Sequence, residues 1–321
     1  MMSRSRSARF GACAFLLALA ACNGGAASPP PFNTGPGNFT IIAGGSMNME
    51  AMQALRFYPN AYTVNVGDTV TWKFPAGEPH TVTFLGPRSA PPPITDPSVP
   101  APAGGSTYDG TVYTSSGFQL LNAVYGVTFT KAGTYVFQCL IHGGMTGTIT
   151  VNPAGTPYPP SNSAGIAGAA GAQAADLALG TSALAQFPYT PGGPHLVAGM
   201  TPGLTTGPPS PVTILRFLDG PDVTATSVTI HAGDTVTWTN QSNNAPHTVT
   251  VAPVGAAFPT LNPFSPPSGG NVYDGSTLVN SGVLGPTQSF ALKFTKAGTY
   301  TYHCIFHDDT ENMIGTVVVT P

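Results

Sequence analysis

Two short stretches of this 321-residue chain carry the same soft ligands: Cys139-Leu-Ile-His142-Gly-Gly-Met145, and Cys304-Ile-Phe-His307 with Met313 beyond it. A lone histidine lies upstream of each, His80 and His247, in the same Pro-His-Thr-Val-Thr run. A thiolate, two imidazoles and a thioether suit copper, bound in a trigonal Cys-His-His plane with a weak axial Met. Zinc prefers more thiolates or oxygen ligands to a thioether. Taken singly, a strand histidine is usually structural and a loop methionine usually packs in a core. Their joint occurrence, twice and in register, is what points to metal.

These residues sit on a duplicated scaffold. Gly67-Asp-Thr-Val-Thr-Trp72 recurs as Gly233-Asp-Thr-Val-Thr-Trp238, and Phe129-Thr-Lys-Ala-Gly-Thr-Tyr135 as Phe294-Thr-Lys-Ala-Gly-Thr-Tyr300. So long a period means two whole domains rather than a solenoid. Runs such as Tyr62-Thr-Val-Asn-Val and Thr69-Val-Thr-Trp-Lys-Phe alternate apolar and polar residues around a Gly-Asp turn, the pattern of half-buried strands. With 39 Gly, 34 Pro and only 7% charged residues, the chain reads as all-β, two antiparallel sandwiches in tandem. Trp72 and Trp238 are expected to fill one core each. Within a copy, Cys139 ends one strand and Met145 begins the next, so one hairpin loop delivers three ligands.

The remaining segments read as follows. Arg4, Arg6 and Arg9 precede an apolar run from Phe10 to Ala21, an export signal over residues 1–21. The run is too short for a convincing membrane span. It ends Leu19-Ala20-Ala21-Cys22, which resembles a bacterial lipobox and makes Cys22 the lipidated N-terminus. Residues 22–48 read as a flexible tether, 49–152 as the first domain, 153–210 as a Pro/Gly/Ala-rich linker and 211–321 as the second domain. Within the linker, Ala172 to Phe187 is expected to form one short helix, with Leu177 and Leu184 on a shared face.

Cysteine usage supports the metal reading. Cys13 and Cys22 belong to the leader, leaving Cys139 and Cys304, one per copy. An unpaired exported cysteine beside His and Met is better explained as a metal thiolate than as half of a disulfide. Removing residues 1–21 takes away three arginines and no acid, moving the formal charge from −3 to −6. Nucleic-acid binding has no electrostatic footprint in such a chain.

Both copies resemble cupredoxins of the plastocyanin/amicyanin type, and the Cys-x2-His-x2-Met spacing of the first resembles the short loop of amicyanins. The resemblance implies a Greek-key β-sandwich with one mononuclear type 1 copper per copy, used to pass single electrons. By this match His80, Cys139, His142 and Met145 hold one copper, and His247, Cys304, His307 and Met313 the other. Two departures stand out. Thr81 and Thr248 follow the first histidine where the family often has Asn, and their hydroxyls are expected to make a similar bond. The second loop, His307-Asp-Asp-Thr-Glu-Asn-Met313, is longer and brings Asp308, Asp309 and Glu311 toward the metal, where an acid oxygen could compete with Met313. The formal charge is −1 over residues 49–152 and −4 over 211–321. The second site is therefore expected to have the lower potential, and the Gly143-Gly144 loop to offer a neutral docking face.

The function expected is an exported electron carrier with two copper ions. It would shuttle single electrons between redox proteins of the cell envelope, touching the membrane through its lipid anchor alone. Copper storage or delivery is the alternative, since the same ligands would serve. An enzyme is the weaker reading. Of seven histidines, four are site ligands, leaving His195, His231 and His303. These are too few, and include no His-x-His pair, for a laccase-like trinuclear centre. A two-domain copper nitrite reductase survives the count, echoed by His303-Cys304, but Ala252 stands where that family has a further histidine. Since neighbours on a strand point to opposite faces, His303 is expected to face outward, exposed or serving as an electron exit.

Overall fold

The computed structural model describes residues 38–94, 96–186, 195–201, 210–220, 223, 226–242 and 245–321. The expected export signal and Cys22 lie outside the described residues. The first copy contributes ten strands: β1 (Asn38–Met47), β2 (Met52–Tyr58), β3 (Ala61–Asn65), β4 (Thr69–Lys73), β5 (Thr83–Phe84), β6 (Thr107–Tyr108), β7 (Thr114–Ser115), β8 (Val124–Phe129), β9 (Gly133–Gln138) and β10 (Thr146–Asn152). A helix, α1 (Pro160–Gln186), leads to the second ten: β11 (His195–Met200), β12 (Val212–Leu218), β13 (Thr226–His231), β14 (Thr235–Gln241), β15 (Thr250–Val251), β16 (Val272–Tyr273), β17 (Val279–Asn280), β18 (Ser289–Phe294), β19 (Gly298–His303) and β20 (Ile314–Thr320).

Local chemistry sets these elements. In the turn between β3 and β4, Gly67 takes φ +97° and the Asp68 carboxylate accepts the Asn65 N–H at 2.6 Å. The second copy repeats the device with Gly233 at φ +104° and Asp234 accepting from His231 N–H at 2.8 Å. Glycine adopts that left-handed backbone without the Cβ clash, and an Asp side chain can bond its own turn. On either side, β-branched residues alternate in and out of the sheet. The inward ones bury Trp72 and Trp238 fully, each edge-on to a neighbouring ring, Phe137 at 5.2 Å and Tyr302 at 5.0 Å. Each copy thus holds one core between two layers.

The layers are not independent. β3-β10-β9-β5-β7 and β13-β20-β19-β15-β17 form a five-stranded sheet per copy, but the opposing strands merge into one ten-stranded sheet, β16-β18-β14-β11-β12-β2-β1-β4-β8-β6. At its centre β2 and β12 pair antiparallel, Met52 against Ile214, Gln53 against Thr213 and Ala54 against Val212. The seam is extended by Leu55 N–H to Pro211 O at 2.7 Å and Leu215 N–H to Ala51 O at 2.8 Å. A strand edge left open invites pairing; here each copy closes the other's.

Helix α1 covers the seam. It is longer than the helix read from the sequence and begins earlier, at Pro160. Its Ala- and Gly-rich sequence has almost no apolar stripe, so its reach cannot be read from periodicity. Leu177 and Leu184 pack with Met52, Tyr58, Met200, Ile214 and Leu218, residues of both copies. Gly180, a poor helix former, has a positional reason: a Cβ there would stand 3.1 Å from Val212 and 3.3 Å from the Met52 sulfur. Polar pins hold the helix on the first copy. Asn162 bonds both backbone groups of Thr63 at 3.1 and 2.6 Å, Gln173 donates to Gly44 O at 2.7 Å, and the Tyr58 hydroxyl donates to Asp176 at 2.6 Å.

Two boundaries differ from the sequence reading. Strand β1 lies inside residues 22–48, read as tether, and β11 lies inside residues 153–210, read as linker. Both strands contain a glycine-bearing bulge, at Gly44 and Gly199, which breaks the alternation and lends them loop-like composition.

Candidate metal centres

Each site is assembled from three places. His80 stands just before β5, Cys139 follows β9, His142 lies on the turn, and Met145 immediately precedes β10; the second copy repeats this with His247, Cys304, His307 and Met313. The turn closes on itself: Cys139 N–H donates to Met145 O at 2.9 Å and Met145 N–H to His142 O at 3.2 Å. Despite its extra residues, the second loop closes alike, Cys304 N–H to Met313 O at 3.1 Å and Met313 N–H to His307 O at 2.8 Å. The backbone therefore returns Met313 to the position of Met145, and both methionines are buried beside their cysteines.

The donor atoms converge. In the first site His80 Nδ1 and His142 Nδ1 are 3.1 Å apart, and Cys139 Sγ lies 3.9 and 3.6 Å from them. In the second, Cys304 Sγ is 3.6 Å from His247 Nδ1 and 3.3 Å from His307 Nδ1. Nitrogen and sulfur donors placed about 2.0–2.3 Å around one first-row metal in a plane stand roughly 3.5–4 Å apart; the separations here, 3.1 to 3.9 Å, come within a few tenths of an ångström of that spacing. Among the described residues these are the two groups of His, Cys, Asp or Glu able to hold a metal. Cys139 and Cys304 are unpaired thiols, both buried.

The threonines lock the cysteine turn. Thr81 Oγ1 accepts Leu140 N–H at 2.8 Å while Thr81 N–H donates to Cys139 Sγ at 3.4 Å. Thr248 does the same for Ile305 N–H, at 2.8 Å, and Cys304 Sγ, at 3.4 Å. An N–H aimed at sulfur favours the thiolate, the form that binds metal. The upstream histidines are seated by glycines. A Cβ on Gly44 would lie 2.3 Å from His80 Nε2, and one on Gly199 2.0 Å from His247 Nε2.

Glu78, two residues before His80, was not among the residues singled out in the sequence. It is buried between the two sites, Oε1 2.8 Å from His142 Nε2 and Oε2 3.4 Å from His307 Nε2. The first contact is a hydrogen bond; the second is an ion-pair distance without hydrogen-bond geometry. Burial opposes ionisation of Glu78, yet the imidazoles of His307, His142 and His80 hold its carboxyl below the usual range. A sequence signal existed: the copies differ at this point, Glu78-Pro-His80 against Ala245-Pro-His247.

Protonation of the metal-free sites also differs. Burial works against charge on His142, but Cys139 and then Glu78 raise it to about 10, and Cys139 is drawn well down in return. Burial pushes Cys304 up to about 12 and His247 far down. His307 also stays low, burial outweighing the pull of Glu78. Cys139 is the main cause of the charge on His142, and Glu78 adds to it.

The acids of the second loop scatter. Asp308 bonds His303 at 3.2 Å, Asp309 is exposed, and Glu311 is buried toward Gly77 of the first copy. None joins the donor triangle. His303 takes the face opposite Cys304, as the strand pattern reads, but it is half-buried there rather than exposed. It stacks on Phe258 with centroids 3.7 Å apart and is tied by Asp308. His195 and His231 are exposed and apart from it. Above Glu78 opens an apolar cleft of about 440 Å³, lined by Phe118 and Ile141 of the first copy, Phe264 and Phe306 of the second, and the edge of His307. Gly143 also lines this cleft, so the glycine loop faces the other copy across it.

A fold of two sandwiches, each carrying a buried His-Cys-His triangle closed by a methionine turn, defines a tandem cupredoxin. The chain matches the copper-binding plastocyanin/azurin family over residues 44–152 and 223–320, and it belongs to that family. Its relatives include a plastocyanin of Oryza sativa subsp. indica, 35% identical over 122 residues, spanning 35% of this chain and 68% of the relative. A plastocyanin of Sambucus nigra is 36% identical over 104 residues, 31% of this chain and 90% of the relative. Among solved structures, the reduced Cu(I) form of an amicyanin mutant is 22% identical, covering 36% of this chain and 83% of that one with a TM-score of 0.26. Copper is the cofactor that the family and the two donor groups together define.

Proposed function

We propose that the chain is an electron carrier of the cell envelope, holding two type 1 coppers and passing single electrons between redox partner proteins. In this reading His80, Cys139, His142 and Met145 hold one ion, and His247, Cys304, His307 and Met313 the other. Copper supplies the one-electron couple. One observation carries the reading: each set of three strong donors is closed within the core, its ligands between 0% and 5% exposed. Such a site keeps its geometry in both oxidation states and leaves no open position for a substrate. The same burial argues against ready release of the metal to an acceptor, as storage or delivery would require.

The location belongs to the same proposal: export by residues 1–21, lipidation at Cys22 and attachment through the lipid alone. Among the described residues no helix is long and apolar enough to cross a membrane. The acidic second loop and its neutral counterpart support a lower potential for the second site, since Asp308 lies beside it.

The test is a Cu(II) titration of the soluble form beginning after Cys22, with Cys139→Ser and Cys304→Ser in parallel. Intense visible colour saturating at two coppers per chain, and falling to one in either variant, is the expected result. Loss of colour in Cys139→Ser alone would leave the second domain without a type 1 site. A colourless copper protein would sink the carrier reading.

A further inference from the structure

The domains are joined so that one histidine of each site faces the same buried carboxylate. His142 and His307 are the ligands on the two turns, and both are almost fully buried, 1% and 2% exposed, against the interdomain seam. Their Nδ1 atoms face the sulfur of their own site, so the outer Nε2 atoms are free to carry protons. Both Nε2 atoms lie close to one carboxylate, Glu78, at 2.8 and 3.4 Å. A metal-bound imidazole commonly donates its other N–H to a carboxylate, which fixes the ring and tunes the metal. Here a single carboxylate does this for His142 and stands at ion-pair distance from the second ring, His307. The second copy offers Ala245 at the matching place, so no like charge opposes Glu78 from that residue.

We propose that Glu78 is a shared positioning residue for both copper sites and the bridge by which an electron passes between the domains. With copper held at both sites, the protein's part of the route would be the His142 ring, Glu78 and the His307 ring, with non-covalent steps of 2.8 and 3.4 Å between rings and carboxylate. Copper would supply the one-electron couple at each end, so that one electron would leave the reduced site and arrive at the oxidised one. No bond is made or broken, and the ultimate donor and acceptor are the chain's redox partners. The protein then works as one two-centre relay, with entry at one domain and exit at the other, instead of two carriers on a string.

This inference rests on the two-copper reading, and the experiment separates the two. Copper content and colour are measured first in the wild-type chain, Glu78→Gln and Glu78→Ala. Both variants should keep two coppers. The midpoint potentials of both sites should then shift in Glu78→Ala, because one residue leaves two imidazoles. Concentration-independent electron exchange after fractional pulse reduction should slow about 10-fold or more, with Glu78→Gln in between. In the Cu(I) form of 15N-His-labelled protein, slowly exchanging Nε2 protons of His142 and His307 should be present in the wild type and lost in Glu78→Ala. Retention of the wild-type exchange rate in Glu78→Gln and Glu78→Ala, or a potential shift confined to the His142 site, would overturn the bridge while leaving the copper reading intact. A wild-type chain that takes up no copper would overturn both.

Discussion

The two sites share the same candidate ligands, the same threonine lock and the same glycine seat, yet they differ in what meets the outer nitrogens of their histidines. His247 Nε2 lies 3.2 Å from the Ser242 hydroxyl, whereas His80 Nε2 is buried with no partner. Counting from the tryptophans, Ala76 stands where the second copy has Ser242. His142 has a hydrogen-bonded carboxylate at 2.8 Å; His307 meets the same group more loosely at 3.4 Å. The second loop buries Glu311 at the seam, where the first has only Gly143 and Gly144. The ligand triangle is dictated by strands and turns common to both copies. The outer contacts come from the join between them, which treats the copies unequally.

The largest effects should come from the feature the sites share. Gly44 and Gly199 sit at φ +72° and +69°, against the rings of His80 and His247. Gly44→Ala and Gly199→Ala should each cost about 2–4 kcal/mol through backbone strain and overpacking. Each should also weaken copper at its own site alone, with the tighter Gly199 contact giving the greater loss. Urea unfolding and copper stoichiometry check this, and a Gly199→Ala chain with wild-type stability and two tightly held ions would refute it.

A smaller effect should separate the loops. Burial and the neighbouring charge of Glu78 raise Glu311 to about 8. Between its ordinary value of about 4.5 and that raised value, the native chain keeps a proton the unfolded chain has released, so stability falls as pH rises. In the metal-free protein, Glu311→Gln should match the wild type near pH 4 and exceed it by about 1–3 kcal/mol above pH 8. A stability difference that stays constant from acid to alkaline pH would show that Glu311 is not the group titrating.

The smallest change should sharpen the contrast at the upstream histidines. Ala76→Ser would offer the orphaned His80 nitrogen the kind of hydroxyl that Ser242 gives His247. A gain of about 0.5–1.5 kcal/mol is expected from one new buried hydrogen bond. The potential of the first site should move with it and that of the second should not. Spectroelectrochemistry on the single-site Cys→Ser backgrounds resolves the two, and a loss of stability would mean that the space beside Ala76 cannot take an oxygen.

Much of this was legible in the residues. The ligand spacing, the duplicated Gly-Asp turns and the alternating strands pointed to two copper-binding β-sandwiches, because hairpin and pleat are local and write their period into the chain. The threonine lock was also readable, since Thr81 and Thr248 directly follow a ligand. Helix α1 was only half legible: its apolar contacts fall on Leu177 and Leu184, while Asn162 and Asp176 are explained by partners far away in sequence. The face of His303 was legible, but its cover was not, because strand alternation says nothing about a loop that folds over that face, as Phe258 does.

The sequence by itself determined the donor set and the scaffold, since soft ligands at hairpin spacing and period-two strands need only near neighbours to be read. Whether two copies remain separate or fuse depends on surfaces meeting across more than a hundred residues. Only the tertiary structure decided that β2 and β12 pair, that α1 seals their seam, and that Glu78 stands between His142 and His307. A lone Glu before a Pro-His pair has no periodicity to betray it; its meaning comes from the packing that brings a second imidazole to its other oxygen.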